Sequence, residues 1–277
     1  EYGCDPSLTS GPWRSWVPVA ETPYVAGEFI WTGFDYRGEP NPFSWPAVTS
    51  QTGTMDLAGF PKPVYYYWKE VWASQPSVYI FPDWSLPKID IGKEILVRAF
   101  SNCDRVELVL NGHSLGFQEM PRDKYLDWHV RYTPGTLTAL GYKQGRVVAR
   151  YTLRTTGQPV SLRLKAEVQS LKANAEDVAP IEVDLLDAAG NVAASADNEI
   201  EFSVSGAGRL AGVANGDPVS HEFNTAHQCK AYHGLAMVLV RAARHPGVIE
   251  VRAVVKGLPP ATIFISTLTV PTVTTIE

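Results

Sequence analysis

The chain has 277 residues, and its 24 basic and 29 acidic side chains give a formal net charge of -5. The length corresponds to about two domains, and the acidic balance argues against nucleic acid as a partner, because binding to phosphate backbones needs clustered Lys and Arg. No apolar run approaches the ~20 residues that cross a bilayer, so we predict no membrane span. Three cysteines, Cys4, Cys103 and Cys229, are too few for a disulfide framework or a four-ligand zinc site.

The first segment, residues 1–75, predicts a piece of a β/α layer structure. Residues 11–22 favour the end of a helix, and residues 24–31 form a largely apolar run typical of a strand buried on both faces. A loop rich in Gly and Pro follows, and residues 61–72 predict a helix with a proline in its first turn. The segment is too small for a core of its own, so either it docks on the next domain or most of its fold lies outside this chain.

The two later segments predict a mainly β fold of short strands and turns. Residues 76–157 hold about seven alternating strands, among them a hairpin whose two-residue turn is Asn111-Gly112. Residues 158–277 give a second strand series with Gly-rich connections. Both segments fit immunoglobulin-like β-sandwiches, the second of the bacterial Ig or invasin type.

Three long motifs lie in the first segment: residues 26–40 read AGEFIWTGFDYRGEP, residues 55–62 read MDLAGFPK, and residues 65–69 read YYYWK. These motifs resemble β-galactosidases of glycoside hydrolase family 2. The stretches 101–112 and 213–222 are similar to the two accessory β-sandwich domains that follow the barrel in many such enzymes. The resemblance therefore covers nearly the whole chain.

The resemblance implies that the first segment is the end of a (β/α)₈ catalytic barrel. Residues 24–33 would be its last strand and residues 61–73 its last helix, so the remainder of the barrel would come from the same parent chain or from a partner chain. The family is retaining and uses two glutamates, an acid/base and a nucleophile. Neither motif is visible ahead of Trp31, so we expect no catalytic residue in this chain and no hydrolysis by the chain alone. We expect no cofactor and no metal site in this chain.

One pair of residues matches the family's acid/base motif by chance. Asn198-Glu199 precedes an alternating run in which Glu199 and Glu201 fall on one face and Ile200 and Phe202 on the other. This pattern predicts that Glu199 lies on the solvent face of a sandwich strand.

Four residues are the candidate substrate-binding residues. Trp31 would stand at the end of the barrel strand, where an indole face can pack against the C–H groups of a sugar ring. Asp35, Tyr36 and Glu39 lie on the following loop, where their polar atoms could accept hydrogen bonds from sugar hydroxyls. A structural role is as good an interpretation for each of these three, and Asp35 could cap the turn or pair with Arg37.

Other conspicuous residues favour structural roles. Residues 65–68, Tyr-Tyr-Tyr-Trp, point in different directions on a helix and predict packing between barrel and sandwich. The six histidines lack the spacings of a metal site. Cys103 and Cys229 are expected to be small buried apolar residues.

The sequence leaves three readings of function. The first is the C-terminal part of a β-galactosidase-like enzyme acting on a β-galactoside oligosaccharide or glycoconjugate. The second is a non-catalytic carbohydrate-binding or adhesion module of tandem sandwiches, for which residues 1–75 would be superfluous. The third is one part of a split enzyme. Sugar specificity and compartment stay open, although the resemblance favours the periplasm or the cell exterior.

Overall fold

The computed structural model describes residues 11–86 and 89–269. Within them the chain forms two compact units, one up to Thr155 and one from Thr156 onward. The fold is mainly β, as predicted. Cys4 lies outside the described residues.

Two helices open the first unit. Helix α1 is Trp13–Glu21 and helix α2 is Pro63–Trp72. Both predicted helices are thus confirmed, and Pro63 occupies the first turn of α2, where the missing N–H costs no hydrogen bond. Helix α2 ends where Ala73 becomes extended and donates its N–H to the carbonyl of Lys69.

The apolar run between the helices is not a strand. Residues 24–31 carry no sheet hydrogen bonding, and the side chains of Tyr24, Phe29 and Trp31 are exposed. The prediction of a strand buried on both faces is therefore wrong for this chain. A buried parallel strand needs a neighbour on each side, and no strand of the described residues flanks this run. Its assignment to a barrel stays a prediction.

The described residues of the first unit form seven strands, in agreement with the predicted number. They are β1 (Val78–Phe81), β2 (Glu94–Ser101), β3 (Arg105–Leu110), β4 (His113–Glu119), β5 (Leu126–Arg131), β6 (Thr136–Lys143) and β7 (Arg146–Arg154). One sheet has the order β1-β2-β5 and the other the order β4-β3-β6-β7. The turn between β3 and β4 is the predicted one, with positive φ at Asn111 (51°) and Gly112 (84°).

The three-stranded sheet is covered on both faces. One face packs on the other sheet around Val97, Leu108 and Trp128. The other face carries Tyr79 and Phe100, on which Tyr67 and Trp68 of α2 pack together with Trp13 and Trp16 of α1. This double burial explains why β1 is apolar throughout, and it fixes both helices on the sandwich.

In the second unit, the residues up to 269 form nine strands in two sheets. They are β8 (Ser161–Ala166), β9 (Ser170–Lys172), β10 (Val178–Leu186), β11 (Glu199–Gly206), β12 (Gly208–Ala214), β13 (Gln228–Lys230), β14 (Leu235–Ala242), β15 (Gly247–Val255) and β16 (Ala261–Leu268). The sheet orders are β12-β14-β10-β8 and β13-β11-β15-β16-β9. Alternate residues of the central strands, such as Ile181, Val238 and Val251, meet in one buried core. That both sandwiches are immunoglobulin-like stays a prediction.

Neither helix of the described residues is long and apolar enough to cross a membrane.

Candidate functional site

The candidate site is the loop between the exposed run and helix α2. Residues 32–38 run alongside residues 48–55, joined by backbone hydrogen bonds such as Asp35 N to Met55 O (2.9 Å) and Ser50 N to Tyr36 O (2.8 Å). Thr49 and Ser50, at the start of the second segment, are buried. The loop is therefore a folded platform held by its own backbone, although it contains no regular strand.

Three of the four predicted site residues form one hydrogen-bonded chain on this platform. The Trp31 indole N–H donates to the Tyr36 hydroxyl at 3.3 Å, and that hydroxyl donates to Glu39 Oε2 at 2.7 Å. The Trp31 and Tyr36 rings meet edge to face, with centroids 6.3 Å apart. We call Trp31, Tyr36 and Glu39 the Trp31 wall.

The Trp31 wall faces solvent. The Trp31 side chain is 74 % exposed although its polar atom is hydrogen-bonded. An aromatic ring whose edge is fixed while its surface stays accessible is suited to packing against the apolar face of a ligand. The Glu39 carboxylate, held by Tyr36 through one oxygen, supplies the only formal charge of the wall, and it is negative.

Asp35, the fourth predicted residue, has a different environment. It is 6 % exposed, and its carboxylate accepts hydrogen bonds from Lys62 Nζ (2.8 and 3.1 Å) and from the backbone N–H of Gly53 (2.8 Å). Burial raises the pKa of Asp35, and the ion pair with Lys62 opposes that rise. Asp35 thus forms an ion pair, as its alternative interpretation expects, but the partner is Lys62 and not Arg37. A contact of Asp35 with a sugar stays a prediction.

A second buried carboxylate lies near the ion pair. Asp56 Oδ1 accepts the backbone N–H groups of Ala58 and Phe60, each at 2.9 Å, and so closes the turn that leads to α2. Burial raises the pKa of Asp56 to about 6, the negative charge of Asp35 adds to the rise, and the two backbone N–H groups oppose it.

Sequence reasoning missed Lys62, Gly53 and Asp56. The lysine lies between two prolines, Pro61 and Pro63, which marks a helix start and gives no sign of an ion pair 27 residues upstream. The need for a glycine at position 53 is visible only in the structure, because a Cβ there would lie 2.2 Å from the backbone N of Asp35.

The environments of Glu199, Tyr66, Tyr67, Cys103 and Cys229 can be compared with those that the sequence predicted. Glu199 and Glu201 are exposed on β11 while Ile200 and Phe202 are buried, so the Asn198-Glu199 pair lies on a solvent face. Tyr66 and Tyr67 pack against the first sandwich. Cys103 and Cys229 are buried, and burial raises the pKa of both thiols. Among residues 11–86 and 89–269, no cluster of three or more His, Cys, Asp or Glu could hold a metal ion.

Comparison with known families matches both sandwiches. Residues 162–264 match the model of glycoside hydrolase family 2 C-terminal domain 5, and residues 92–149 match a domain of unknown function, DUF4982. The first match lies within the second unit and the second match within the first.

Similar proteins and structures are glycosidases. The β-galactosidase BoGH2A of Bacteroides ovatus is 38 % identical over 250 residues, which is 90 % of this chain and 29 % of that protein. A β-glucuronidase of Formosa agariphila is 26 % identical over 259 residues, covering 88 % of this chain and 26 % of that protein. A solved glycosyl hydrolase family 2 member from Bacteroides cellulosilyticus has 31 % identity and a TM-score of 0.85, covering 92 % of this chain and 38 % of that one.

The chain thus spans between a quarter and two fifths of the length of these proteins. Family model, relatives and solved structure agree on one family, which is also the family that the motifs of residues 26–40 and 55–69 resemble. The chain belongs to glycoside hydrolase family 2.

Proposed function

We propose that this chain is part of a retaining glycoside hydrolase that acts on β-galactosides, to which it contributes one wall of the sugar site and two accessory sandwiches. The observation that carries the proposal is the Trp31 wall, an exposed indole fixed by Tyr36 and Glu39. Trp31 would pack against the C–H face of the sugar, and the free oxygen of Glu39 would accept a hydrogen bond from a sugar hydroxyl.

The proposal includes a partner for the first segment. The two catalytic glutamates would come from the remainder of the (β/α)₈ barrel, and the exposed side chains of Tyr24, Val25 and Phe29 would pack against it. The chain alone would then bind sugar weakly and hydrolyse nothing.

Charge favours a neutral sugar over a uronic acid, the substrate class named for one of the relatives. The Trp31 wall carries a negative charge at Glu39, and the buried Lys62 is already neutralised by Asp35. The other cation of the loop, Arg37, is exposed but already makes a contact of its own. A glucuronide carboxylate against this wall would meet a like charge, whereas a galactoside would meet an acceptor for its hydroxyls.

The test compares two substrates on the full-length enzyme that contains this chain. We expect kcat/KM for nitrophenyl β-galactoside to exceed that for nitrophenyl β-glucuronide, and Glu39→Gln to shift the ratio toward the glucuronide by about tenfold, the effect of roughly 1.4 kcal/mol of like-charge repulsion. Glu201→Gln, an exposed carboxylate on β11, is the matched control and should leave the ratio unchanged. A preference for the glucuronide in the unmodified enzyme would refute the substrate assignment.

A further inference from the structure

We infer that Lys62 is a positioning residue, which sets the place of the Trp31 wall through its buried ion pair with Asp35 and does not touch the sugar. This inference rests on the proposed function of the wall. Lys62 is 9 % exposed, and its ammonium group donates to Asp35 Oδ1 (2.8 Å), Asp35 Oδ2 (3.1 Å) and the carbonyl of Gln51 (2.9 Å). A lysine has three N–H donors, so none is left for a ligand.

The three contacts join separate parts of the platform. Asp35 lies between Trp31 and Tyr36 in the chain and carries the wall's loop, while Gln51 lies on the neighbouring segment. Lys62 itself immediately precedes α2, and its backbone N–H donates to Thr54 O at 3.0 Å. One ammonium group thus connects the wall, the segment beneath it and the start of a helix.

The ion pair occupies a tight crossing of backbones. Asp35 Oδ1 also accepts the N–H of Gly53, and a Cβ at Gly53 would lie 2.2 Å from the backbone N of Asp35 and 2.5 Å from the carbonyl O of Met55. Such a contact leaves no room for a side chain at position 53. The Asp35 carboxylate is therefore held by the backbone N–H of Gly53 and by the ammonium group of Lys62. Because Tyr36 directly follows Asp35, these contacts also restrict the position of the Tyr36 hydroxyl.

Helix α2 gives this connection a fixed base. Tyr67 is 1 % exposed, packs on Phe100 of β2 and donates its hydroxyl to the carbonyl of Asp123 at 2.9 Å. Since α2 is anchored on the sheet, the contact from Lys62 to Asp35 sets the wall relative to the sandwich. A shift of about 1 Å in a substrate-positioning group lowers rates by as much as ~100-fold, so loss of the pair should be felt at the sugar.

The variant must remove the pair without leaving one buried charge behind. Lys62→Met alone would strand the Asp35 carboxylate in a dry site, which destabilises proteins strongly. The double variant Asp35→Asn/Lys62→Met replaces both charges by neutral groups of similar size and keeps an oxygen for the N–H of Gly53. Lys69→Met is the matched control, because Lys69 is an exposed lysine of helix α2.

The experiment is a double-mutant cycle with Trp31→Ala, measured as kcat/KM for nitrophenyl β-galactoside in the full-length enzyme, together with the melting temperature of each variant. We expect Asp35→Asn/Lys62→Met to lower kcat/KM by about 10- to 100-fold when Trp31 is present and by less than about threefold in the Trp31→Ala enzyme. Lys69→Met should change neither value.

The other outcomes distinguish failure of this inference from failure of the proposed function. Equal losses in both backgrounds would show that the pair acts independently of Trp31 and would overturn the inference while leaving the proposed function intact. An unchanged kcat/KM in Trp31→Ala itself would overturn the role of the wall and, with it, this inference. If Asp35→Asn/Lys62→Met does not fold, Asp35→Asn/Lys62→Gln, which also leaves no unpaired buried charge, goes through the same cycle and is judged by the same criterion.

Discussion

Tyr66 stacks on Tyr79 with ring planes 4° apart and centroids 3.7 Å apart. Tyr66 belongs to helix α2 and Tyr79 to strand β1. The stack therefore joins the end of the first segment of the chain, residues 1–75, to the first sandwich. Tyr151 of β7 lies against both rings. This aromatic contact is one of those that hold α2, which begins directly after Lys62, on the first sandwich.

We expect Tyr66→Ala to destabilise the first unit by about 2–4 kcal/mol, because it removes a half-buried aromatic ring and leaves a cavity beside Tyr79. Tyr24→Ala is the control, since this tyrosine of the same unit is 90 % exposed and its loss should cost less than about 1 kcal/mol. Urea unfolding followed by tryptophan fluorescence measures both. Equal losses for the two variants would contradict the assigned role of the stack.

Residues 156–277 should fold alone. Their core is formed within the unit by residues such as Ile181, Val238 and Val251. We expect a cooperative urea transition and a monodisperse peak in size-exclusion chromatography. A non-cooperative transition of this fragment would show that the unit depends on the preceding one.

Residues 76–155 should behave differently when residues 1–75 are removed. The cut uncovers Tyr79, Phe81 and Phe100, which the helices cover in the intact unit. Exposed aromatic patches of this kind promote association, so this fragment should aggregate at concentrations where residues 11–155 stay monomeric. Light scattering on the two fragments measures the difference, and equal solubility would contradict it.

The pH dependence of the first unit should carry a contribution from Asp56. Its pKa is raised from 3.8 to about 6 by burial, so the folded protein holds the proton more tightly than the unfolded chain. The contribution to stability is therefore present below about pH 4 and is lost as the pH rises to about 6. Asp56→Asn keeps the oxygen that accepts the N–H groups of Ala58 and Phe60 and removes the charge.

We expect Asp56→Asn to be more stable than the unmodified protein at pH 7 by about 1–3 kcal/mol and equally stable near pH 4. Urea unfolding at both pH values measures the difference. The exposed Asp90 provides the control variant, Asp90→Asn, which should show no such pattern. A gain from Asp56→Asn that is the same at pH 4 and pH 7 would mean that ionisation of Asp56 is not its cause.

The features predicted from sequence are those that local patterns determine. Asn111-Gly112 specifies its turn because both residues tolerate positive φ, and Pro63 marks a helix start because it lacks an N–H to donate. The strand predicted at residues 24–31 is absent for the opposite reason. An apolar run becomes a buried strand only when other strands supply its hydrogen bonds, and no local pattern reveals whether they do.

The candidate site also combines features that local sequence determines with contacts between distant parts of the chain. Trp31, Tyr36 and Glu39 come together because they lie within nine residues on one loop, so a motif could point to all three. The contacts that fix the loop are long-range: Lys62 meets Asp35 across 27 residues and Gly53 meets it across 18. Neither contact has a periodic or spacing signal, and only the three-dimensional structure shows that Lys62 and Gly53 both meet Asp35.

The most direct test of the proposed wall is the kcat/KM of Trp31→Ala for nitrophenyl β-galactoside in the full-length enzyme, measured together with its melting temperature. Loss of a stacked aromatic of about 1–3 kcal/mol predicts a fall of roughly 5- to 150-fold, with Trp31→Phe retaining part of the activity. Because Trp31 is 74 % exposed, its removal should leave the melting temperature nearly unchanged. Normal kcat/KM alongside a large fall in melting temperature would contradict the account and assign Trp31 to the core of the assembled enzyme.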